Sequence, residues 1–380
     1  MEKYSNLLQP ISFGEDIITR NRIYFSSIGF DLCDLMGRPL PEFFDVYDSM
    51  MDGGCSFGFL GNASIDPTSQ YTDRSMKLVS DEHANDLLPI FTSAREKNFL
   101  LGVQLQHYGV MANQNKEIHN ISDPLLVVGD VTFITEEKIE SFINQFISAA
   151  CLAMNVGAPS LQIHAANGYL ISSFLSPRTN RRNDKWGGSP IKRARILLEI
   201  IRKIRAAIGQ KMAIFVRLQI DDGLGQEGIN IDMLSDVIIA IEDAGANAVI
   251  SATGIAETYS KFLGDKDYTL NISRKAGRYF KQRVNIPIGF AANIDSLQLA
   301  DEIVGSGDAD FIGFGRAIVA DHHFVIKELS GHFDQVNRCL WDSFCLLDKK
   351  EPQADRVFCC VNPQYLRPQH IQNKHMEKQK

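Results

Sequence analysis

Short apolar segments alternate with longer amphipathic segments along most of this chain. The apolar segments predict β-strands at residues 23–27, 56–61, 99–105, 160–164, 213–218, 248–251, 287–291 and 311–315. Apolar positions that recur three and four residues apart predict helices at residues 82–97, 136–155, 191–208, 231–244, 273–282 and 296–306. Because most of the strands are followed by a helix, this order predicts an α/β fold, a closed parallel (β/α)8 TIM barrel.

A doubly wound parallel sheet is the structural alternative. Such a sheet requires a glycine-rich dinucleotide-binding turn after an early strand, and the sequence contains none. We therefore expect the barrel to occupy residues 1–330, with the segment before Ile23 closing its bottom. Residues 331–380 are expected to form a C-terminal extension that contains a cysteine cluster and ends in a polar tail. Long loops are expected on the catalytic side at residues 113–133 and 221–229, and a further loop that shapes the pocket at residues 257–268.

The composition of the 380-residue chain narrows the class of protein. Its hydrophobic residues (44%) suffice for a large core, and its formal net charge of −7 provides no attraction for nucleic acid or an acidic membrane. No apolar segment has transmembrane length, and the polar first residues are unlike a signal peptide. We therefore expect a cytoplasmic protein that acts on a small molecule. The seven cysteines, an odd number, indicate thiols or metal ligands rather than disulfides.

Three polar side chains follow the fourth predicted strand. They are His164, Asn167 and Tyr169, and they stand where the strand ends and a loop begins. In an α/β barrel, the ends of the strands at this edge carry the catalytic residues. His and Asn can both donate hydrogen bonds to one oxygen, and Tyr can donate a proton. The cluster therefore predicts a site that polarises an oxygen and supplies a general acid.

The sequence around this cluster resembles a known family. Residues 164–170 read His-Ala-Ala-Asn-Gly-Tyr-Leu, and residues 174–182 read Phe-Leu-Ser-Pro-Arg-Thr-Asn-Arg-Arg. This run resembles the signature of the old yellow enzyme family of flavin-dependent ene-reductases, and the resemblance extends over about residues 7–320. It implies FMN as cofactor, NAD(P)H as reductant and an α,β-unsaturated carbonyl compound as substrate. It also allows a homodimer, because relatives often dimerise.

The resemblance assigns roles to further residues. His164 and Asn167 would hold the carbonyl oxygen, so that the β-carbon accepts hydride, and Tyr169 would protonate the α-carbon. The predicted cofactor-binding residues are Gln104, Arg217, Ser27, Asn62, Ala292, Asn293, Gly315 and Arg316. Of these, Gln104 and Arg217 would contact the flavin ring, and Gly315 and Arg316 the phosphate. An arginine inside a barrel that does not bind the flavin would require a buried ion pair.

Several positions depart from the family pattern. Ala292 stands where the family usually has glycine, and Val110 replaces an arginine. Gly29 falls near a position that often holds Thr, Cys or His and tunes the flavin, so this chain lacks that side chain.

The cysteines of the C-terminal extension resemble part of another pattern. Larger relatives, similar to 2,4-dienoyl-CoA reductase and trimethylamine dehydrogenase, carry a four-cysteine iron–sulfur cluster just past the barrel. Cys339, Cys345 and Cys359 have compatible spacing, but Asp342 occupies the second ligand position. Carboxylate is a poorer match than thiolate to iron–sulfur chemistry, and the adjacent Cys360 is poorly placed to substitute.

Three interpretations follow from the sequence. The first is an FMN-dependent NAD(P)H:enone oxidoreductase with a ping-pong cycle. The second is an iron–sulfur flavoenzyme of the dienoyl-CoA reductase or amine dehydrogenase type. The third is a barrel that binds flavin without turnover, which the substitutions at Val110 and Gly29 favour.

Overall fold

The computed structural model describes residues 3–112, 118–121, 131–350 and 354–371. It confirms the predicted barrel, in which eight parallel strands pair in chain order and the last strand pairs with the first. The strands are β1 (Ile23–Ile28), β2 (Phe57–Ser64), β3 (Leu100–Gln106), β4 (Ser160–Ala165), β5 (Ala213–Asp221), β6 (Ala248–Thr253), β7 (Ile288–Phe290) and β8 (Phe311–Phe314). Each contains one of the eight predicted apolar segments or overlaps it.

An aromatic cluster fills the lower interior of the barrel. Phe13, from the segment before β1, packs against Phe57, Phe215 and Phe311 with ring centroids 4.7–5.4 Å apart. All four rings are buried, so the N-terminal segment closes the barrel bottom as predicted. Aromatic pairs at these separations stabilise the core beyond the area they bury. The opposite end of the barrel, where the strands finish, remains free to form a site.

Helices cover the outside of the barrel. The α-helices span Pro41–Met51, Asp81–Asp86, Leu88–Glu96, Glu136–Asn155, Leu170–Leu175, Pro190–Arg193, Arg195–Ile208, Ser235–Asp243, Tyr259–Gly264, Lys266–Lys281, Leu297–Gly305, Arg316–Ala320, Phe324–Leu329 and Phe344–Leu347. Short 3-10 turns span Gly109–Met111, Gly225–Glu227, Ile231–Leu234, Phe333–Gln335, Asp348–Lys350 and Pro363–Tyr365. Two small strand pairs lie outside the barrel, Ile11–Ser12 with Ile18–Thr19 and Ile118–Asn120 with Val131–Phe133.

Three local predictions were wrong. The helix expected at residues 191–208 is interrupted at Ala194, between the helices Pro190–Arg193 and Arg195–Ile208. The helix expected at residues 82–97 is broken at Leu87, because Pro89 lacks an amide hydrogen and its ring clashes with the preceding turn. The loop expected at residues 257–268 is mostly helical, and the Asp265 side chain caps the second of its helices by accepting from the amide of Tyr268. Of the loop expected at residues 113–133, residues 113–117 and 122–130 lie outside the described part of the chain, as does the predicted tail from residue 372 onward.

The segment after the barrel packs back onto it. The amide of Val357 donates to the carbonyl of Phe30, just beyond β1, at 3.0 Å. The hydroxyl of Tyr365 lies 2.8 Å from Nε2 of His322 and donates to the carbonyl of Val319 at 2.6 Å. These contacts hold the C-terminal extension over the carboxyl ends of the strands. Within the part of the chain that is described, no helix is both long and apolar enough to cross a bilayer.

Candidate active site

A cavity of about 580 Å³ opens at the carboxyl ends of the barrel strands. Ten of the eleven predicted catalytic and cofactor-binding residues are in its wall: Ser27, Asn62, His164, Asn167, Tyr169, Arg217, Ala292, Asn293, Gly315 and Arg316. The exception is Gln104, which is fully buried in β3 behind the wall. This volume lies within the range of cofactor and small-molecule sites.

His164 and Arg217 are neighbours across the sheet. They are paired in register, His164 near the end of β4 and Arg217 at the middle of the longer β5, so their side chains leave the sheet side by side. Burial and the positive charge of Arg217 hold the pKa of His164 well below its usual range. The imidazole is therefore neutral at physiological pH.

The hydrogen bonding of His164 assigns its tautomer. The amide of Ala166 donates to Nδ1 of His164 at 3.2 Å, so Nδ1 is the acceptor. A neutral imidazole with Nδ1 accepting carries its proton on Nε2. His164 therefore presents an uncharged N–H donor at the cavity, as the predicted polarising role requires.

Asn167 lies in a sharp turn between β4 and the next helix. Asn167 and Gly168 both have positive φ, 61° and 80°, which Asn and Gly tolerate better than other residues. The Asn167 side-chain amide donates to the carbonyls of Thr253 and Gly254 at 3.2 and 3.1 Å, and its backbone amide donates to Gln219 at 2.5 Å. Both amide protons are thus engaged by the end of β6, and the turn is held firmly in place.

This turn places Tyr169 immediately before the helix Leu170–Leu175. Its ring meets the rings of His164 and Tyr108 edge-on, with centroids 5.0 and 5.3 Å away. Burial raises the pKa of Tyr169, while Gln106 and the charge of Arg217 partly oppose the rise. The phenol is therefore protonated at physiological pH and can act as an acid beside the imidazole.

The floor of the cavity holds a cation without an acidic partner. Arg217 Nη1 donates to Ser27 Oγ at 3.2 Å, and Ser27 in turn donates to Gln162 Oε1 at 3.3 Å. Among the described side chains, no carboxylate lies within 4 Å of the Arg217 guanidinium. Gln104 also donates to Gln162, and its own Oε1 is buried without a hydrogen-bond partner. A free cation and an unsatisfied acceptor fit the polar edge of a flavin ring, so the predicted cofactor fits this floor.

A second cation lies where β7 and β8 end. Arg316 donates to Ser343 Oγ at 2.7 Å and to Asn293 Oδ1, and its guanidinium stacks over Trp341 with the ring centroid 4.6 Å away. A Cβ added at Gly315 would meet only Ser26, at 3.9 Å, so the backbone there is open to a ligand. These residues suit a phosphate group, because Arg recognises phosphate with paired hydrogen bonds.

The predicted metal ligands lie near one another, because the charges of Cys339, Cys359 and Asp342 all act on the Cys345 thiol. Cys339, Asp342, Cys345 and Cys359 lie in the C-terminal extension, and burial raises the pKa of Cys345 to about 12. No group of three or more His, Cys, Asp or Glu side chains within the described ranges is arranged to hold a metal ion. Asp342 accepts from the amide of Phe344 at 3.2 Å. The iron–sulfur cluster that the spacing of these residues suggests stays a prediction.

The sequence did not indicate several residues of the cavity. Gln162 and Gln219 accept hydrogen bonds from residues of the cavity wall. The only sequence feature that marks them is their alternate position along the strands, which directs their side chains inward. Tyr71 and Tyr108 stack with centroids 5.9 Å apart and extend the aromatic wall beside Tyr169. No local pattern distinguishes these tyrosines from ordinary core residues.

Comparison with known proteins identifies relatives along almost the whole chain. A model of the NADH:flavin oxidoreductase / NADH oxidase family matches residues 6–334. The chain is 26% identical over 370 residues to an NADH oxidase of Thermoanaerobacter brockii, covering 96% of this chain and 56% of that protein. It is 27% identical over 322 residues to an NADPH dehydrogenase of Bacillus subtilis (strain 168), covering 84% and 93%. This chain thus spans about half the length of the NADH oxidase.

Solved structures share the fold. A 2-naphthoyl-CoA reductase complex superimposes with a TM-score of 0.86 at 23% identity, covering 96% of this chain and 58% of that one. An old yellow enzyme homologue from Zymomonas mobilis has a TM-score of 0.73 at 21% identity, covering 86% and 92%. The shorter homologue leaves more of this chain unmatched than the longer reductase does. These likenesses confirm the barrel, and the family match confirms the resemblance inferred from the sequence.

Proposed function

The chain belongs to the NADH:flavin oxidoreductase / NADH oxidase family, and from this premise we propose that it reduces the C=C bond of α,β-unsaturated carbonyl compounds with NAD(P)H. The observation that carries the proposal is the grouping around one cavity of a neutral His164, a protonated Tyr169 and an Arg217 that has no acidic partner among the described side chains. Bound FMN would supply the hydride. Ser27, Gln104 and Arg217 would hold its ring, and Gly315 and Arg316 its phosphate, with Asn62, Ala292 and Asn293 lining the remaining walls.

His164 would bind the carbonyl oxygen of the substrate. Its Nε2–H donates to an oxygen that gains negative charge as hydride reaches the β-carbon, so the bond strengthens in the transition state. The sequence predicted that Asn167 donates to the same oxygen. Because both of its amide protons are engaged by Thr253 and Gly254, we assign Asn167 a positioning role that fixes the turn carrying Tyr169.

Tyr169 would complete the reaction as the general acid. Its hydroxyl proton passes to the α-carbon of the enolate, and solvent then returns a proton to the phenolate. A phenol suits this step because its pKa lies above physiological pH, so the proton is present at the start of each cycle.

The remaining predictions concern partners and location. We propose that the substrate is a small unsaturated carbonyl compound, that nucleic acid and membranes are not partners, and that the protein acts in the cytoplasm as a homodimer. The net charge of −7 supports the absence of a nucleic-acid partner.

An anaerobic visible spectrum tests the proposed function. The purified protein should show flavin bands that bleach with NADPH or NADH and return when 2-cyclohexenone is added without air. Flavin bands that bleach with NADPH or NADH but return only with oxygen would support the interpretation in which the barrel binds flavin without reducing enones. Protein that takes up no FMN would contradict the proposal, and iron with acid-labile sulfide in the same sample would support the iron–sulfur alternative.

A further inference from the structure

The C-terminal extension inserts a lysine into the active-site cavity. Lys349 lies outside the residues matched by the family model, yet its side chain lines the cavity together with His164 and Arg217. Its ammonium lies beside Gly29, just past the end of β1. A Cβ added at Gly29 would be 3.2 Å from Lys349 Nζ and 3.1 Å from Asn62 Oδ1. The missing side chain at Gly29 therefore makes room for a charge supplied by a distant part of the chain.

Lys349 is held there by an acidic partner. Its Nζ lies 3.1 Å from Asp31 Oδ2, and both side chains are largely buried, 15% and 7% exposed. Asp31 has a positive φ of 58°, so the backbone turns sharply where it presents this carboxylate. A buried pair of this kind is costly to break by removing one partner, because the other charge then stays uncompensated. The pair ties the C-terminal extension to the loop after β1.

This ion pair lies close to the predicted edge of the cofactor. Gly29 follows Ser27 by two residues, about 7 Å along an extended chain, and Ser27 accepts from the predicted flavin ligand Arg217. Asn62, on the other side of Gly29, donates to Gln106 next to Tyr169. Lys349 and Asp31 are thus part of the same wall as the residues proposed to act on cofactor and substrate.

We propose that Lys349 tunes the bound cofactor, as a cation that the C-terminal extension supplies in place of a side chain at position 29. The inference rests on the proposed function, since it requires FMN in the cavity. A nearby positive charge stabilises the negative charge that the cofactor gains on reduction, and Asp31 offsets part of that effect. The pair therefore determines how strongly the protein prefers the reduced cofactor.

The proposal makes opposite predictions for the two partners. Lys349→Met leaves Asp31 uncompensated and should weaken the preference for reduced FMN. Asp31→Asn leaves the ammonium uncompensated and should strengthen it. We expect each variant to change the ratio of the two FMN affinities about tenfold, which corresponds to about 30 mV in the two-electron midpoint potential. Structural damage would not shift the potential in opposite directions.

The test is a measurement of the midpoint potential of bound FMN by equilibration with a reference dye. Lys349→Arg should keep a potential near that of the unaltered protein. Arg356→Met is the matched control, because Arg356 is on the same extension but pairs with Glu42 and Asp355 away from the cavity. Gly29→Ala provides an independent perturbation, because its methyl group crowds the ammonium, and it should lower the potential.

The outcomes separate this inference from the proposed function. Protein that binds no FMN contradicts the proposed function. FMN that binds and is reduced, with the same potential in Lys349→Met, Asp31→Asn and the unaltered protein, overturns the inference alone. Unchanged potentials with a higher KM only for carboxylate-bearing enones would also overturn it, and would assign the ammonium to substrate binding.

Discussion

Replacement of Tyr169 by phenylalanine tests the proposed chemistry most directly. The substitution removes the hydroxyl and keeps the ring, whose edge-on contacts with His164 and Tyr108 have centroid separations of 5.0 and 5.3 Å. The variant should therefore fold normally, with a loss of about 1 kcal/mol for the hydrogen bonding of one hydroxyl. What it loses is the only proton donor that we assign to the α-carbon.

The expected effect on the rate is large. A positioned general acid contributes roughly 10²- to 10⁴-fold, which corresponds to about 3–5 kcal/mol of activation free energy. Burial raises the pKa of Tyr169 above its ordinary value of 10.0, so the hydroxyl is protonated throughout the physiological range. We therefore expect the full loss at every pH between about 6 and 9, because this group does not titrate there.

The assay must separate the two half-reactions. In an anaerobic stopped-flow instrument, the bleaching of the flavin bands by NADPH reports the first, and their return with 2-cyclohexenone reports the second. Tyr169→Phe should slow only the second. Tyr108→Phe is the matched control, since it removes a hydroxyl from the neighbouring ring of the same cavity. The assignment of the acid is refuted if Tyr169→Phe reoxidises with the enone as fast as Tyr108→Phe.

Three further predictions concern other charged and polar groups. His164→Ala should slow enone reduction roughly 10²- to 10³-fold, as expected for the loss of one preorganised hydrogen-bond donor. In the unaltered enzyme, His164 should not titrate between about pH 6 and 8, because the pKa of this imidazole is lowered. Stopped-flow rates of enone reduction measured across this pH range check both expectations. Arg217→Met should weaken FMN binding roughly 10- to 100-fold in fluorescence titrations, because it removes a charge-assisted hydrogen-bond donor. Asp308→Asn should lower the free energy of unfolding by about 1–3 kcal/mol at pH 7 in urea titrations. Burial alone would raise the pKa of Asp308, but hydrogen bonds from Arg274 and Arg278 outweigh it and lower the pKa, so this stabilisation is present above the ordinary carboxyl pKa and is lost as the pH falls through the lowered value.

The local sequence pattern determined most of the barrel. Buried parallel strands read as short apolar runs and the covering helices as apolar positions three and four residues apart, so each of the eight strands was recognisable by itself. The polar cluster at the end of β4 was also recognisable, because catalytic side chains in such barrels lie where the strands end. His164 and Tyr169 were predicted from this placement, whereas the role of Arg217 was predicted from the resemblance to the family.

Local signals were less reliable where two of them compete. The amphipathic pattern across residues 82–97 favours one helix, but Pro89 breaks it, and the proline effect is the stronger one. At residues 257–268, the cap formed by Asp265 begins the helix Lys266–Lys281 seven residues before the start that periodicity predicted at residue 273.

Only the tertiary structure decided how the site is completed. Burial in the barrel, and next to it the register of β4 against β5 that places His164 beside Arg217, lower the pKa of the imidazole and keep it neutral. The end of β6 engages both amide protons of Asn167, and Lys349 reaches Asp31 across more than 300 residues of chain. Periodicity reports only which face of an element is buried. The charge state and free donors of a side chain depend on neighbours that are remote in sequence, and folding alone brings those neighbours together.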